Sequence, residues 1–169
     1  MTEQAERTGA ARVGIVVGSR SDIAAADKAA AVLDELGVGN EIRVISAHRA
    51  PELLSRFIAS ADARSIRVFI AIAGLAAHLP GVVASQTTLP VIGVPMSGGV
   101  SDGLDALLAI VQMPKGVPVA TVGVGNGENA GLLAAAILAV GDPALAARLS
   151  DRRATQAEAI AADEANQGL

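Results

Sequence analysis

Short runs of β-branched residues alternate along this chain with alanine-rich segments of helical periodicity. Such an alternation places parallel strands in one sheet with helices on both faces, because right-handed crossovers connect successive strands. The chain is therefore predicted to form a three-layer α/β/α sandwich with a central parallel sheet of about five strands. The predicted strands are residues 12–17, 41–45, 67–71, 91–94 and 117–124. The predicted helices are residues 22–36, 51–63, 76–85, 103–111, 129–140 and 143–162.

The length and the ends of the chain favour one domain. Its 169 residues fit a single folding unit, since these usually run to about 100–200 residues. We expect a disordered N-terminal tail at residues 1–11, one α/β domain at 12–163 and a C-terminal tail at 164–169. The basic residues of the last helix, Arg148, Arg152 and Arg153, are expected on a face that is solvated or packed against another subunit.

The interior must be almost entirely aliphatic. Hydrophobic residues make up 51% of the chain and aromatic residues 1%, supplied by Phe57 and Phe69. The many alanines and 18 glycines favour helices and strands that approach each other closely. Binding of single-stranded nucleic acid usually needs aromatic platforms, and a polyanion needs excess positive charge, whereas the formal net charge here is −4. Nucleic acid is therefore excluded as an expected partner.

A membrane partner is not expected either, although the mean hydropathy is +0.48. A membrane-spanning helix needs about 20 continuous apolar residues. The best candidate, residues 68–84, is interrupted by Gly74, His78, Pro80 and Gly81. Residues 1–11 lack the apolar stretch of a signal peptide. With no cysteine in the chain, these features favour a soluble protein of the cytoplasm.

The polar chemistry of the chain is concentrated in three turns that follow the first three predicted strands. Flavodoxin-like and Rossmann-like sheets bind ligands beyond the carboxyl ends of their strands, at a switch in strand order. The three turns have the sequences GSRSD at 18–22, SAHRAP at 46–51 and AGLAAHLPG at 73–81. Both histidines of the chain lie in them, so we expect the functional site where these turns meet.

The first turn has two interpretations. Its backbone N–H groups, with the hydroxyls of Ser19 and Ser21, could receive a phosphate at a helix N-terminus. Alternatively, Ser21 or Asp22 simply caps the helix that follows. The turn has neither the Gly-Lys-Ser/Thr ending of a Walker loop nor three spaced glycines, so no ATP or NAD requirement is predicted.

The other two turns carry the candidate acid/base and anion-binding side chains. Arg49 has the planar fork that bonds two phosphate oxygens, and its neighbour His48 carries an imidazole, which exchanges protons near neutrality. His78 is either a further functional histidine or one that caps a helix or fills the core. Two histidines and unclustered carboxylates do not make a metal site, and no nucleophile elbow is present. From its residues the chain is a small α/β protein with a crevice for a phosphorylated small molecule.

At these motifs the sequence resembles the carboxylase/mutase family of purine biosynthesis in its bacterial form. The resemblance covers most of the chain, from about residue 12 to residue 140. Its segments are GSRSD (18–22), SAHRAP (46–51), AGLAAHLPG (73–81), LPVIGVP (89–95), IVQMPKGVPVATV (110–122) and ENAGLLAAAILA (128–139).

This resemblance implies an isomerase that needs no ATP, biotin or metal cofactor. The implied reaction moves a carboxylate of a ribonucleotide from the exocyclic nitrogen of an aminoimidazole to ring carbon 4, through a trapped CO2. His48 matches the family's acid/base. The implied substrate-binding residues are Ser19, Asp22 and Arg49, toward ribose and phosphate, and Ser46, Gly74, His78 and Leu79, around the base and CO2.

Two segments depart from the family's usual pattern, and three alternatives to the mutase are kept. Ile72 and Leu75 stand where glycines are expected, and the segment MSGGVSD at 96–102 also differs. The alternatives are a carboxylase that uses CO2 directly, a paralogue acting on another heteroaromatic ribonucleotide, and a non-enzymatic nucleotide-binding module. The family also implies a homo-octamer, which suits an alanine- and glycine-rich chain with apolar surface to cover.

Overall fold

A parallel sheet of five strands forms the centre of the computed structural model, which describes residues 12–166. The predicted tail at 1–11 and the last three residues of the tail at 164–169 lie outside the described residues; Glu164–Asn166 forms a short 3-10 helix. The strands are β1 Val13–Val17, β2 Asn40–Val44, β3 Val68–Ala73, β4 Val91–Pro95 and β5 Ala120–Thr121. Their order is β2-β1-β3-β4-β5, and all neighbours are parallel. This is the flavodoxin-like order, so the predicted fold class is confirmed.

Helices cover both faces of the sheet. They are α1 Ile23–Glu35, α2 Pro51–Ala59, α3 Leu79–Ala84, α4 Leu104–Val111, α5 Gly127–Ala139 and α6 Pro143–Ala161. Alternate residues of β3 belong to two separate cores, Val68, Ile70 and Ile72 to one and Phe69, Ala71 and Ala73 to the other. The first core is completed by α1, α5 and α6, and the second by α2, α3 and α4. No helix in the part of the chain described here is both long and apolar enough to cross a bilayer.

Three elements differ from their predicted bounds by three residues or more. The strand predicted at 117–124 contains only Ala120–Thr121, because Pro118 has no N–H to donate and the ladder to β4 consists of two residue pairs. The helix predicted at 76–85 begins at Leu79, since Ala77 has a φ of 45°, outside the helical region. The helix predicted at 51–63 ends at Ala59, and the turn after it holds Ser65 at a φ of 62°.

Helices α1 and α5 approach each other closely through glycine. A Cβ atom added at Gly127 would collide with the carbonyl oxygen of Ala25. One added at Gly131 would collide with the side chain of Val32 and lie 2.7 Å from the carbonyl oxygen of Ala29. The small residues therefore produce the close helix packing that composition led us to expect.

Two arginines of helix α6 bond to other elements of the same chain, and one of them, Arg152, departs from the predicted exposure. Arg148 Nε donates to the carbonyl oxygen of Leu36 at 2.9 Å. Arg152 Nη2 donates to Glu128 Oε1 at 2.7 Å, and this hydrogen bond raises the pKa of the guanidinium. Arg148 and Arg153 are exposed as expected, whereas Arg152 is half-buried. A long arginine side chain is satisfied wherever carbonyl and carboxylate oxygens are within reach, here at the ends of α1 and α5.

Candidate functional site

A cleft of about 610 Å³ lies beyond the carboxyl ends of the strands, at the switch in strand order between β1 and β3. The three polar turns meet there because β1, β2 and β3 are adjacent and parallel. The cleft is lined by all eight residues that the sequence singled out: Ser19, Asp22, Ser46, His48, Arg49, Gly74, His78 and Leu79.

In the first turn Ser19 caps a short 3-10 helix, and neither Ser21 nor Asp22 caps α1 with its side chain. Ser19 Oγ accepts from the backbone N–H of Ser21 at 3.4 Å, at the start of the 3-10 helix Arg20–Asp22. Asp22 is the N-cap residue of α1, yet its side chain makes no capping hydrogen bond and instead accepts from Ser21 Oγ at 3.1 Å. The alternative in which Ser21 or Asp22 caps the helix is therefore wrong, and the Asp22 carboxylate lines the cleft.

His48 and His78 form one hydrogen-bonded pair across the cleft, although 30 residues separate them in the chain. His48 Nε2 lies 2.8 Å from His78 Nδ1, and the rings meet edge to face, with centroids 5.0 Å apart and planes at 83°. A hydrogen bond between two imidazoles needs one N–H and one acceptor nitrogen, so the two facing nitrogens share a single proton. His78 makes no capping bond to α3 and is exposed, which contradicts a capping or core role for it.

Arg49 connects the second turn to the first. Its Nη2 donates to the carbonyl oxygen of Gly18 at 3.2 Å, and its backbone N–H donates to Ser46 Oγ at 3.3 Å. These bonds hold an exposed guanidinium at the cleft wall, with Asp22 on the adjoining turn. A cation fixed beside hydroxyls and a carboxylate suits a ligand with an anionic group and sugar hydroxyls.

The third turn is tightly folded against the end of β4. A Cβ atom added at Gly74 would lie 3.3 Å from Met96 Cβ, and Ala77 donates its N–H to the carbonyl oxygen of Gly74 at 3.0 Å. Leu75 and Ala77 both have left-handed backbones, with φ of 57° and 45°, which cost a non-glycine residue about 1–2 kcal/mol each. Of the two residues that replace expected glycines, Leu75 lines the cleft, whereas Ile72 is fully buried in the core beneath α1 and α5.

Sequence reasoning missed Ser97, which lines the cleft from the loop after β4. This loop is held by two carboxylates: Asp102 accepts from the N–H of Gly98 at 3.3 Å and Asp105 from that of Val100 at 3.2 Å. The rule that located the other turns also applies to this one, since β4 is the neighbour of β3. The loop has no histidine or arginine, and only its place in the sheet could have indicated it.

Within residues 12–166, no three histidine, aspartate or glutamate side chains are grouped to hold a metal ion. The ionisable side chains of the cleft are Asp22, His48, Arg49 and His78. Together they can bind an anionic, hydroxyl-bearing ligand and move one proton at the shared histidine position.

Comparisons with known proteins agree with this chemistry. Residues 12–159 match the family model for AIR carboxylase. The N5-carboxyaminoimidazole ribonucleotide mutase of Methanocaldococcus jannaschii is 57% identical over 139 residues, which are 82% of this chain and 86% of that protein. The chloroplastic phosphoribosylaminoimidazole carboxylase of Vigna aconitifolia is 51% identical over 148 residues, 88% of this chain but only 27% of the plant protein. The crystal structure of Treponema denticola PurE superposes with a TM-score of 0.84 at 29% identity, covering 93% of this chain and 98% of that one.

Proposed function

The chain belongs to the AIR carboxylase family, and from this membership we propose that it is an isomerase with the mutase activity for which its bacterial and archaeal relatives are named. The reaction converts N5-carboxyaminoimidazole ribonucleotide to 4-carboxy-5-aminoimidazole ribonucleotide in purine biosynthesis. The observation that carries the proposal is the His48–His78 pair, which shares one proton in a cleft lined by Arg49 and Asp22. An intramolecular carboxylate transfer needs one proton given to the exocyclic nitrogen and one removed from carbon 4, and the histidine pair can supply and recover that proton.

In the proposed mechanism His48 is the acid and then the base. As the bond between the exocyclic nitrogen and the carboxyl carbon breaks, its electron pair stays on nitrogen, which takes a proton from His48 and releases CO2. Ring carbon 4 then attacks CO2, and His48 removes the proton that carbon 4 carries. The proton that left is restored, so the reaction is balanced with no other reactant. His78 orients the imidazole of His48 through the 2.8 Å hydrogen bond.

The remaining predicted site residues bind the nucleotide and enclose the reacting groups. Asp22 accepts from the ribose hydroxyls, and Ser19 and Arg49 hold the phosphate. The other members of the set surround the base and the CO2 and exclude water while CO2 is free. They are Ser46, Gly74, His78 and Leu79.

Direct carboxylation of aminoimidazole ribonucleotide by CO2 is the second candidate, because two relatives carry the carboxylase name. It is less favoured, since this chain spans about a quarter of the length of those two proteins, 27% and 25%. The mutases of Methanocaldococcus jannaschii and Mycobacterium tuberculosis are instead matched over 86% and 93% of their lengths.

The proposal also includes a homo-octamer in the cytoplasm. Each of its eight subunits has one catalytic domain, residues 12–163. Its support is the apolar surface of α4, where Leu104, Leu108 and Val111 are 52%, 46% and 51% exposed. Large exposed apolar side chains on one helix suit contact with another copy of the chain. A monomer in light scattering at micromolar concentration would contradict this part of the proposal.

The deciding experiment supplies two substrates separately and follows formation of the carbon-4 carboxylate. One reaction contains N5-carboxyaminoimidazole ribonucleotide, and the other contains aminoimidazole ribonucleotide with bicarbonate. We expect rapid turnover of the first and little of the second at equal concentration. Turnover of the second alone would reverse the assignment to the carboxylase, and turnover of neither would remove both candidates.

A further inference from the structure

Leu75 is an unusual member of the cleft wall in both its side chain and its backbone. The other apolar lining residues are alanines or, in the case of Leu79, almost fully buried, whereas Leu75 is 65% exposed. Its φ of 57° is one that glycine adopts without strain and leucine does not. Strained residues persist where the surrounding structure fixes them, and they cluster at functional sites.

Leu75 has a close-packed backbone neighbour on one side and a glycine of the loop after β4 on the other. Gly74, immediately before it, packs so closely on Met96 that an added Cβ atom would lie only 3.3 Å from Met96 Cβ. On the other side, a Cβ atom added at Gly99 would lie 3.4 Å from Leu75 Cδ2. The leucine side chain therefore lies between the third turn and the loop after β4, at the part of the cleft where Ser97 also lies, and most of its surface is exposed.

We propose that Leu75 is an apolar cover that keeps CO2 in the cleft after decarboxylation and before recarboxylation. This inference rests on the proposed function. Once the nitrogen–carbon bond breaks, CO2 is a small neutral molecule that forms no ion pair with the charged groups of the cleft. An apolar side chain that covers part of the cleft opening slows the escape of CO2 and limits the entry of water without having to bind CO2 strongly.

The test measures how often CO2 escapes before it is recaptured. Unlabelled N5-carboxyaminoimidazole ribonucleotide is supplied in buffer containing carbon-13 bicarbonate with carbonic anhydrase, and the labelled fraction of the carbon-4 carboxylate product is measured by mass spectrometry. Label enters the product only if the original CO2 has left and a molecule from solution has replaced it. For Leu75→Gly we expect the labelled fraction to rise on the order of tenfold, the lower end of the scale on which one apolar group changes selectivity in a pocket.

Ser65→Gly is the matched control variant. Ser65 has a φ of 62°, close to that of Leu75, but lies outside the cleft, so its replacement relieves the same backbone strain and adds the same chain flexibility. Its labelled fraction should equal that of the unmodified protein. Leu75→Ala keeps the strained backbone and removes the cover, so it should resemble Leu75→Gly, and it remains informative if the glycine variant is unstable.

Equal labelled fractions in the unmodified protein and both Leu75 variants would overturn the inference. So would a fraction in the unmodified protein that already equals the solution value. Failure of the proposed function has a different result, in which the unmodified protein forms no carbon-4 carboxylate from the N5-carboxy substrate.

Discussion

The α1–α5 helix pair and residues 74–78 of the third turn of the cleft both contain closely packed backbone, but they place glycine differently. In the helix pair, glycine stands at Gly127 and Gly131, where any side chain would collide with the facing helix. In the cleft turn, Leu75 and Ala77 stand where the backbone is left-handed and glycine would be relaxed. The helix pair is thus optimised for packing, whereas the turn retains strain beside the histidine pair. We therefore expect substitutions in the helix pair to change the free energy of unfolding and substitutions in the cleft to change turnover.

The largest expected effect is a loss of turnover without a loss of stability, caused by a substitution in the cleft. His48→Asn removes the group that carries the proton, so turnover of N5-carboxyaminoimidazole ribonucleotide should fall at least about 100-fold, the lower end of what a general acid–base group contributes. His48 is exposed, so the free energy of unfolding should change by less than about 0.5 kcal/mol. Steady-state kinetics and urea denaturation measure the two quantities. Turnover within threefold of the unmodified protein would remove His48 from the acid/base role.

The next effect is expected at the helix pair. Gly127→Ala places a methyl group against the carbonyl oxygen of Ala25, and because both atoms belong to packed helices, we expect a loss of about 1–3 kcal/mol in unfolding free energy. Gly127 does not line the cleft, so the KM of the folded enzyme should be unchanged. Gly141→Ala is the control, since a Cβ atom at Gly141 meets no atom within 4 Å. Equal stability of the two variants in urea would mean that α5 shifts freely, contrary to the close packing described.

The fold was predictable because its signals are local, and the same holds for most of the cleft. Buried β-branched runs such as Val13–Val17 identify strands, and the carboxyl-end rule then brings the three turns together without knowledge of their contacts. The start of α3 was not predictable, since the segment AGLAAH has helical composition although Leu75 and Ala77 have left-handed backbones in the structure. The His48–His78 bond joins residues 30 positions apart and depends on side-chain orientation, which no sequence pattern specifies.

The smallest effect is expected at Arg49. It tests whether the nucleotide's phosphate is bound by a cation at a fixed position or attracted by the net charge of the protein. Arg49→Ala removes a guanidinium that is held at the cleft wall by the carbonyl oxygen of Gly18. We expect the affinity for 4-carboxy-5-aminoimidazole ribonucleotide to fall about tenfold, or about 1.4 kcal/mol, with little change in unfolding free energy. Calorimetry measures the affinity. Arg20→Ala makes the same change in net charge from an exposed position one residue after Ser19, but Arg20 does not line the cleft, so its effect should be much smaller. Equal losses in the two variants would mean that long-range charge, and not the position of the Arg49 fork, attracts the phosphate.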